Sequence, residues 1–96
     1  PILGALHHPP GGIVRHDAVV WGYARAADHL GVHMLQETEV TDILCEGGEG
    51  PDGKGAGGRV TGVRTNRGDI SAPAVVNCTA GWASLISNMA GVPLPI

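Results

Sequence analysis

Lysine is nearly missing from this chain. Lys54 is the only one, and the five arginines are scattered, so 6 basic residues stand against 9 acidic ones for a net charge of −3. Without a basic stripe or cluster there is no electrostatic footprint for nucleic acid, and none is expected as a partner. Phenylalanine is absent and only Trp21, Tyr23 and Trp82 are aromatic, so the apolar content is aliphatic and small. No apolar run approaches the roughly 20 residues a membrane-spanning helix needs, nor does the start resemble a secretory signal, so no membrane partner is expected. Cysteine is scarce as well. Cys45 and Cys78 are too few for a disulfide scaffold and form no Cys-x-x-Cys pair, which fits a reducing, cytoplasmic setting. With 96 residues the chain is one small domain at most. The missing initiator Met and the apolar Pro93-Leu94-Pro95-Ile96 ending suggest a piece of a longer chain.

What is plentiful is glycine, with 16 residues, and proline, with 7. His7-His8-Pro9-Pro10-Gly11-Gly12 forbids a regular helix and reads as a loop. Asp17 then looks like an N-cap, and Val19, Val20, Tyr23, Ala24, Ala27 and Leu30 fall on one helical face. Gly31 suits the left-handed residue that closes a helix, which places the helix at about 17–30. Val32-His33-Met34-Leu35 follows at once as a short apolar run of strand type. Three further segments, 38–45, 60–65 and 69–72, read as an antiparallel meander, with Asn66-Arg67-Gly68 as one turn. Residues 46–58 between the first two are a flexible, glycine-rich hairpin loop. Ala74-Val75-Val76-Asn77-Cys78 is the mark of a strand covered on both faces. Thr79-Ala80-Gly81 breaks it, and Trp82 to Ala90 reads as a helix ending at Gly91.

The expected fold class is therefore α/β. Its order is helix, parallel strand, three-stranded antiparallel meander, parallel strand, helix, as in the middle of an FAD/NAD(P)-binding (Rossmann-like) domain. The whole of 1–96 counts as a single partial domain, since the first βα unit is not in it. A strand feeding a glycine loop and a helix lets backbone amides approach a phosphate or ribose closely, at the positive end of a helix dipole.

Several motifs have an ordinary explanation. Gly48, Gly50, Gly53 and Gly53, Gly55, Gly58 both match Gly-x-Gly-x-x-Gly, but they lie between meander strands and open no helix. His7, His8, His16, His29 and His33 lack zinc-ligand spacing, because Gly31 ends the helix between His29 and His33. Asn77-Cys78-Thr79 is a formal glycosylation sequon at the end of an apolar strand, and Cys78 reads as a small core residue. His16 has the best individual claim to chemistry. It lies at a helix N-terminus, whose dipole disfavours imidazolium, and a neutral imidazole can attack an electrophilic carbon. Arg15 beside it suits a phosphate or an anionic ring. A solvent-facing histidine is the plainer local alternative.

Gly11-Gly12-Ile13-Val14-Arg15-His16-Asp17 and Val20-Trp21-Gly22-Tyr23-Ala24-Arg25-Ala26 resemble the β subunits of heterotetrameric sarcosine oxidases. Gly31-Val32, Glu39-Val40-Thr41, Val60 to Gly68 and Met89 to Ile96 extend the likeness over nearly the whole chain, except the loop near 46–58. The wider family is the D-amino-acid-oxidase-like FAD-dependent amine oxidases. The resemblance implies noncovalent FAD and covalent FMN, with His16 as the FMN anchor and Arg15 near it. Many members carry a second histidine two positions on, where this chain has Ala18, so His16 is the motif's only candidate. Val40 matches a residue whose backbone contacts the FAD adenine, and Thr79, Ala80 and Gly81 match a loop beside the FAD ribose and pyrophosphate. Trp82 matches either that loop or a packing position beneath it. No catalytic residue is expected within these residues. The implied reaction is oxidative demethylation of sarcosine to glycine, giving hydrogen peroxide and formaldehyde or methylene-tetrahydrofolate. The implied partners are α, γ and δ subunits, with tetrahydrofolate as one-carbon acceptor. The alternatives are a related oxidase of another amine, such as dimethylglycine, or a non-catalytic metal-binding module.

Overall fold

A computed structural model describes residues 1–95, which fall into two compact units, residues 1–35 and residues from Gln36 onward. The first unit is a loop followed by helix α1, His16–His29. Arg15, in extended conformation, holds the N-cap position expected of Asp17 and makes no side-chain cap. Asp17 instead lies in the first turn, where its carboxylate accepts from the Arg15 guanidinium at 2.7 Å. That bond, seconded by the Ala18 amide, lowers the Asp17 pKa below its ordinary value. Both side chains are well exposed, so the pair adds little stability, although a carboxylate suits the positive end of the helix.

The helix closes as its glycine predicts. Gly31 takes φ +79, its amide bonds to the Asp28 carbonyl, and the Val32 amide bonds back to that of Ala27. The apolar face is present in sequence but uncovered within its own unit, since no residue of α1 is buried.

The second unit is built on a three-stranded antiparallel sheet in the order β1-β2-β3: Val40–Glu46, Arg59–Thr65 and Gly68–Ser71. Its register runs from Val40 opposite Thr65 to Glu46 opposite Arg59, with irregularities after Val40 and after Leu44. β2 is the central strand, and at Gly62 only glycine fits, because a Cβ would collide with the Ile70 carbonyl oxygen of β3. The β2–β3 turn is fixed by Thr65, 8% exposed, whose hydroxyl donates to the Gly68 carbonyl at 2.6 Å and accepts from the Arg67 amide. Neither Asn66 nor Arg67 has positive φ; Gly68 absorbs that demand at φ +117. The meander is thus as expected from the sequence.

The two expected parallel strands do not form within the described residues. Val32–Leu35 and residues 74–78 carry no strand pairing, and Val76 is 84% exposed. A parallel strand exists only through a neighbouring ladder, and the one sheet among the described residues is an antiparallel meander that pairs with neither segment. Cys78 is accordingly exposed and not a core residue, while Cys45 is half-buried; both are free thiols.

Between β1 and β2 the chain makes a 3₁₀ turn, Pro51–Gly53, flanked by amides bonded back onto the loop. Gly48 donates to Gly53, Glu49 to Ala56 and Gly50 to Lys54. Lys54 returns to the sheet, its Nζ 2.6 Å from Asp42 Oδ1. The Lys54 ammonium holds the Asp42 carboxyl below the ordinary 3.8, with the Ile43 amide assisting. A carboxyl whose folded pKa is depressed stabilises the fold above its unfolded value and loses that contribution as pH falls through the folded one. Wild-type protein should therefore out-stabilise Asp42→Asn by about 1 kcal/mol at neutral pH. Denaturation series across pH should show that lead shrinking below 3.8. A constant lead would remove the ion pair from the account.

Helix α2, Ala83–Met89, follows a second 3₁₀ turn, Ala80–Trp82, so the helical stretch expected from Trp82 to Ala90 begins in tighter form. It ends with Gly91 at φ +72, the Gly91 amide bonded to Asn88 and that of Val92 to Ser87.

Candidate functional site

The second unit holds an open groove of about 420 Å³. Its one side is the run-in to β1, Thr38 to Val40, and its floor is Ile43 and Val63. Val75, Asn77 and Thr79 form the other side, closed by Trp82 and the apolar positions of α2. The lining is mostly aliphatic, with Thr38, Glu39, Asn77 and Thr79 as its polar members.

Val40 and Thr79, far apart in sequence and unrelated by any shared motif, thus line the same groove. Ala80 and Gly81 continue directly from Thr79 into the 3₁₀ turn. Ala80 is one of three non-glycine residues with positive φ among those described, at 47, a conformation that costs a side-chain-bearing residue about 1 kcal/mol. The amides of Ala80 and Gly81 have no hydrogen-bond partner among the described residues, whereas Trp82 donates to the Thr79 carbonyl. The opposite rim is pinned: the Asn66 carboxamide oxygen accepts from the Glu39 amide at 3.1 Å, and the Asn66 amide donates to the Glu39 carbonyl.

Sequence reasoning passed over Asn77. Its Oδ1 accepts from the Thr79 hydroxyl at 2.7 Å and the Thr79 amide at 3.2 Å, and its Nδ2 donates to the Ala83 carbonyl at 2.9 Å. The spacing that reads as a sequon is, in this fold, an Asx-type turn. That alternative was available from the sequence, since asparagine two residues before a Thr at a strand-to-helix break is its usual signature.

Arg15 and His16 belong to the first unit, at the head of α1, and both are exposed. The imidazole is therefore accessible on the residue that opens the helix. Among the described residues no group of three or more His, Cys, Asp or Glu side chains could hold a metal ion. No helix among them is long and apolar enough to cross a membrane.

The model of one protein family, FAD-dependent oxidoreductases of the DAO type, matches residues 1–96. The chain belongs to that family. It is 47% identical over all 96 residues to the sarcosine oxidase subunit beta of Rhodobacter capsulatus. The corresponding subunit of an Arthrobacter species is 41% identical over the same length. The mitochondrial sarcosine dehydrogenase of Homo sapiens is 36% identical over 95 residues, covering 99% of this chain and 10% of its own. The chain spans only 21% of the two subunit beta sequences. No solved structure matches it.

The groove suits part of the family's FAD. An aliphatic lining of about 420 Å³ accepts a flat heteroaromatic ring, and two unpartnered amides beside it are donors for ribose or phosphate oxygens.

Proposed function

We propose that this chain is part of a flavoprotein amine oxidase that demethylates sarcosine, converting it to glycine. The observation that carries the reading is the 47% identity to a sarcosine oxidase subunit beta, sustained over every residue of the chain. In this reading FAD lies against the groove, with the main chain at Val40 beside its adenine and the Thr79, Ala80 and Gly81 turn beside its ribose and pyrophosphate. His16 carries a covalent FMN and Arg15 lies near it. The exposed imidazole at the start of α1 supports that assignment. Flavin, when bound, supplies the acceptor for the two electrons leaving the amine. The protein's part is to bind and orient it: aliphatic walls exclude water and the turn's amides meet anionic oxygens.

The complete enzyme would combine this subunit with α, γ and δ chains in the cytoplasm. It would pass electrons to oxygen as hydrogen peroxide and release the methyl carbon as formaldehyde or to tetrahydrofolate. The 96-residue chain by itself should show no turnover, because the remaining four-fifths of the relatives' length is outside it. The test is the full-length subunit, assembled with its partners, given sarcosine or dimethylglycine while peroxide is followed. Faster turnover of sarcosine, with FAD bound, is the expected result. An assembled protein without FAD, or one faster on another amine, would overturn the reading.

A further inference from the structure

We propose that Asn77 is the positioning residue of the flavin-binding turn, a role that rests on the reading of the groove as an FAD site. Three hydrogen bonds converge on one carboxamide. Its oxygen takes both the hydroxyl and the amide of Thr79, and its nitrogen reaches forward to the carbonyl of Ala83, the first residue of α2. The side chain therefore spans the whole approach to the helix, with Ala80, Gly81 and Trp82 between its anchors at Thr79 and Ala83.

Two consequences follow from this arrangement. First, the donors of Thr79 are spent inside the protein, so the turn offers a ligand the main-chain amides of Ala80 and Gly81. Second, Thr79 at φ −89, ψ 15 is followed by Ala80 at φ 47. A right-handed then left-handed pair is the conformation that brings successive amides to one concave side, where they favour anionic oxygen. Ala80 has a Cβ and does not adopt positive φ cheaply, so neighbouring bonds must hold it there. Asn77 supplies them from both sides of the turn. Alanine at position 77 would leave the Thr79 amide and hydroxyl without their acceptor, freeing the turn to relax to ordinary dihedrals.

The test is FAD titration of the full-length subunit stripped of its noncovalent flavin, with the melting temperature of each flavin-free variant measured alongside. Asn77→Ala and Thr79→Val should each raise the FAD Kd about tenfold, which corresponds to about 1.4 kcal/mol. The double variant should lose no more than Asn77→Ala alone, because both changes break the same contact. Should Asn77→Ala fail to fold, Asn77→Ser takes its place in the cycle, keeping a hydroxyl acceptor while losing the bond to Ala83. Losses that add in the double variant, or melting temperatures that fall while the Kd stays within twofold of wild type, overturn the positioning role. Wild-type protein that takes up no FAD overturns the flavin reading itself, and this inference with it.

Discussion

Substituting His16 with alanine should abolish covalent flavin while leaving noncovalent FAD in place. Attachment needs a nitrogen lone pair on the side chain at that position, and alanine has none. The segment from Arg15 to Ala18 offers no second imidazole. The readout is acid precipitation of the assembled enzyme. Wild-type pellet should stay yellow, and its labelled peptide should include His16. The His16→Ala pellet should be colourless, with one flavin still recovered from the supernatant. The noncovalent flavin is the internal control, because His16 lies in residues 1–35 and the groove in residues from Gln36 onward. A yellow His16→Ala pellet would move the anchor elsewhere. A wild-type pellet without colour would remove the covalent FMN altogether while leaving the FAD groove standing.

How far the sequence led depends on whether each element is determined by its own residues. α1 announces itself through the spacing of Val19, Val20, Tyr23 and Ala27 and through Gly31, and the structure begins and ends it within one residue of the expected bounds. The meander is equally local. Val40, Thr41, Ile43, Val60 and Val63 are β-branched residues that favour strands, and Asn66 to Gly68 provides the turn. The runs at 32–35 and 74–78 carry the composition of buried parallel strands without the neighbours that would make them so. Composition reports what a segment prefers, whereas a ladder requires a second chain segment beside it. The site divides similarly. Val40 is implied by resemblance alone, because the backbone contact proposed for it would leave no trace in side-chain type. Asn77 was hidden by a competing motif, and the pairing of Lys54 with Asp42 joins a loop residue to a strand residue 12 positions earlier, which no periodicity encodes. The N-cap at Asp17 failed for a different reason: the helix already opens at His16, so Asp17 lies inside its first turn with its carboxylate bonded to Arg15.

Shortening Ile43 to alanine should be the most costly packing change in the second unit, at about 2–4 kcal/mol. Ile43 is 3% exposed, the sole buried hydrophobic residue among those described. It sits mid-strand in β1 opposite Val63, and its amide is held by the Asp42 carboxylate at 2.9 Å, so the backbone has little freedom to collapse into a void. With Val75, Asn77 and Ile86 it forms the boundary between the 420 Å³ groove and a neighbouring cavity of about 240 Å³. Removing three carbons there joins the two spaces beneath the proposed adenine site. Ile43→Val, which keeps the branch at Cβ, should cost only about 0.5–1.5 kcal/mol. Denaturant unfolding of the full-length protein, with and without FAD, separates the two effects. At a fixed excess concentration FAD stabilises the folded state by an amount that grows with the logarithm of its affinity, so a cavity in the groove floor should also narrow the stabilisation that FAD confers. If Ile43→Ala costs no more than Ile43→Val, the sheet is held from elsewhere. If it unfolds more easily but gains as much from FAD as wild type, the floor of the groove does not carry the cofactor.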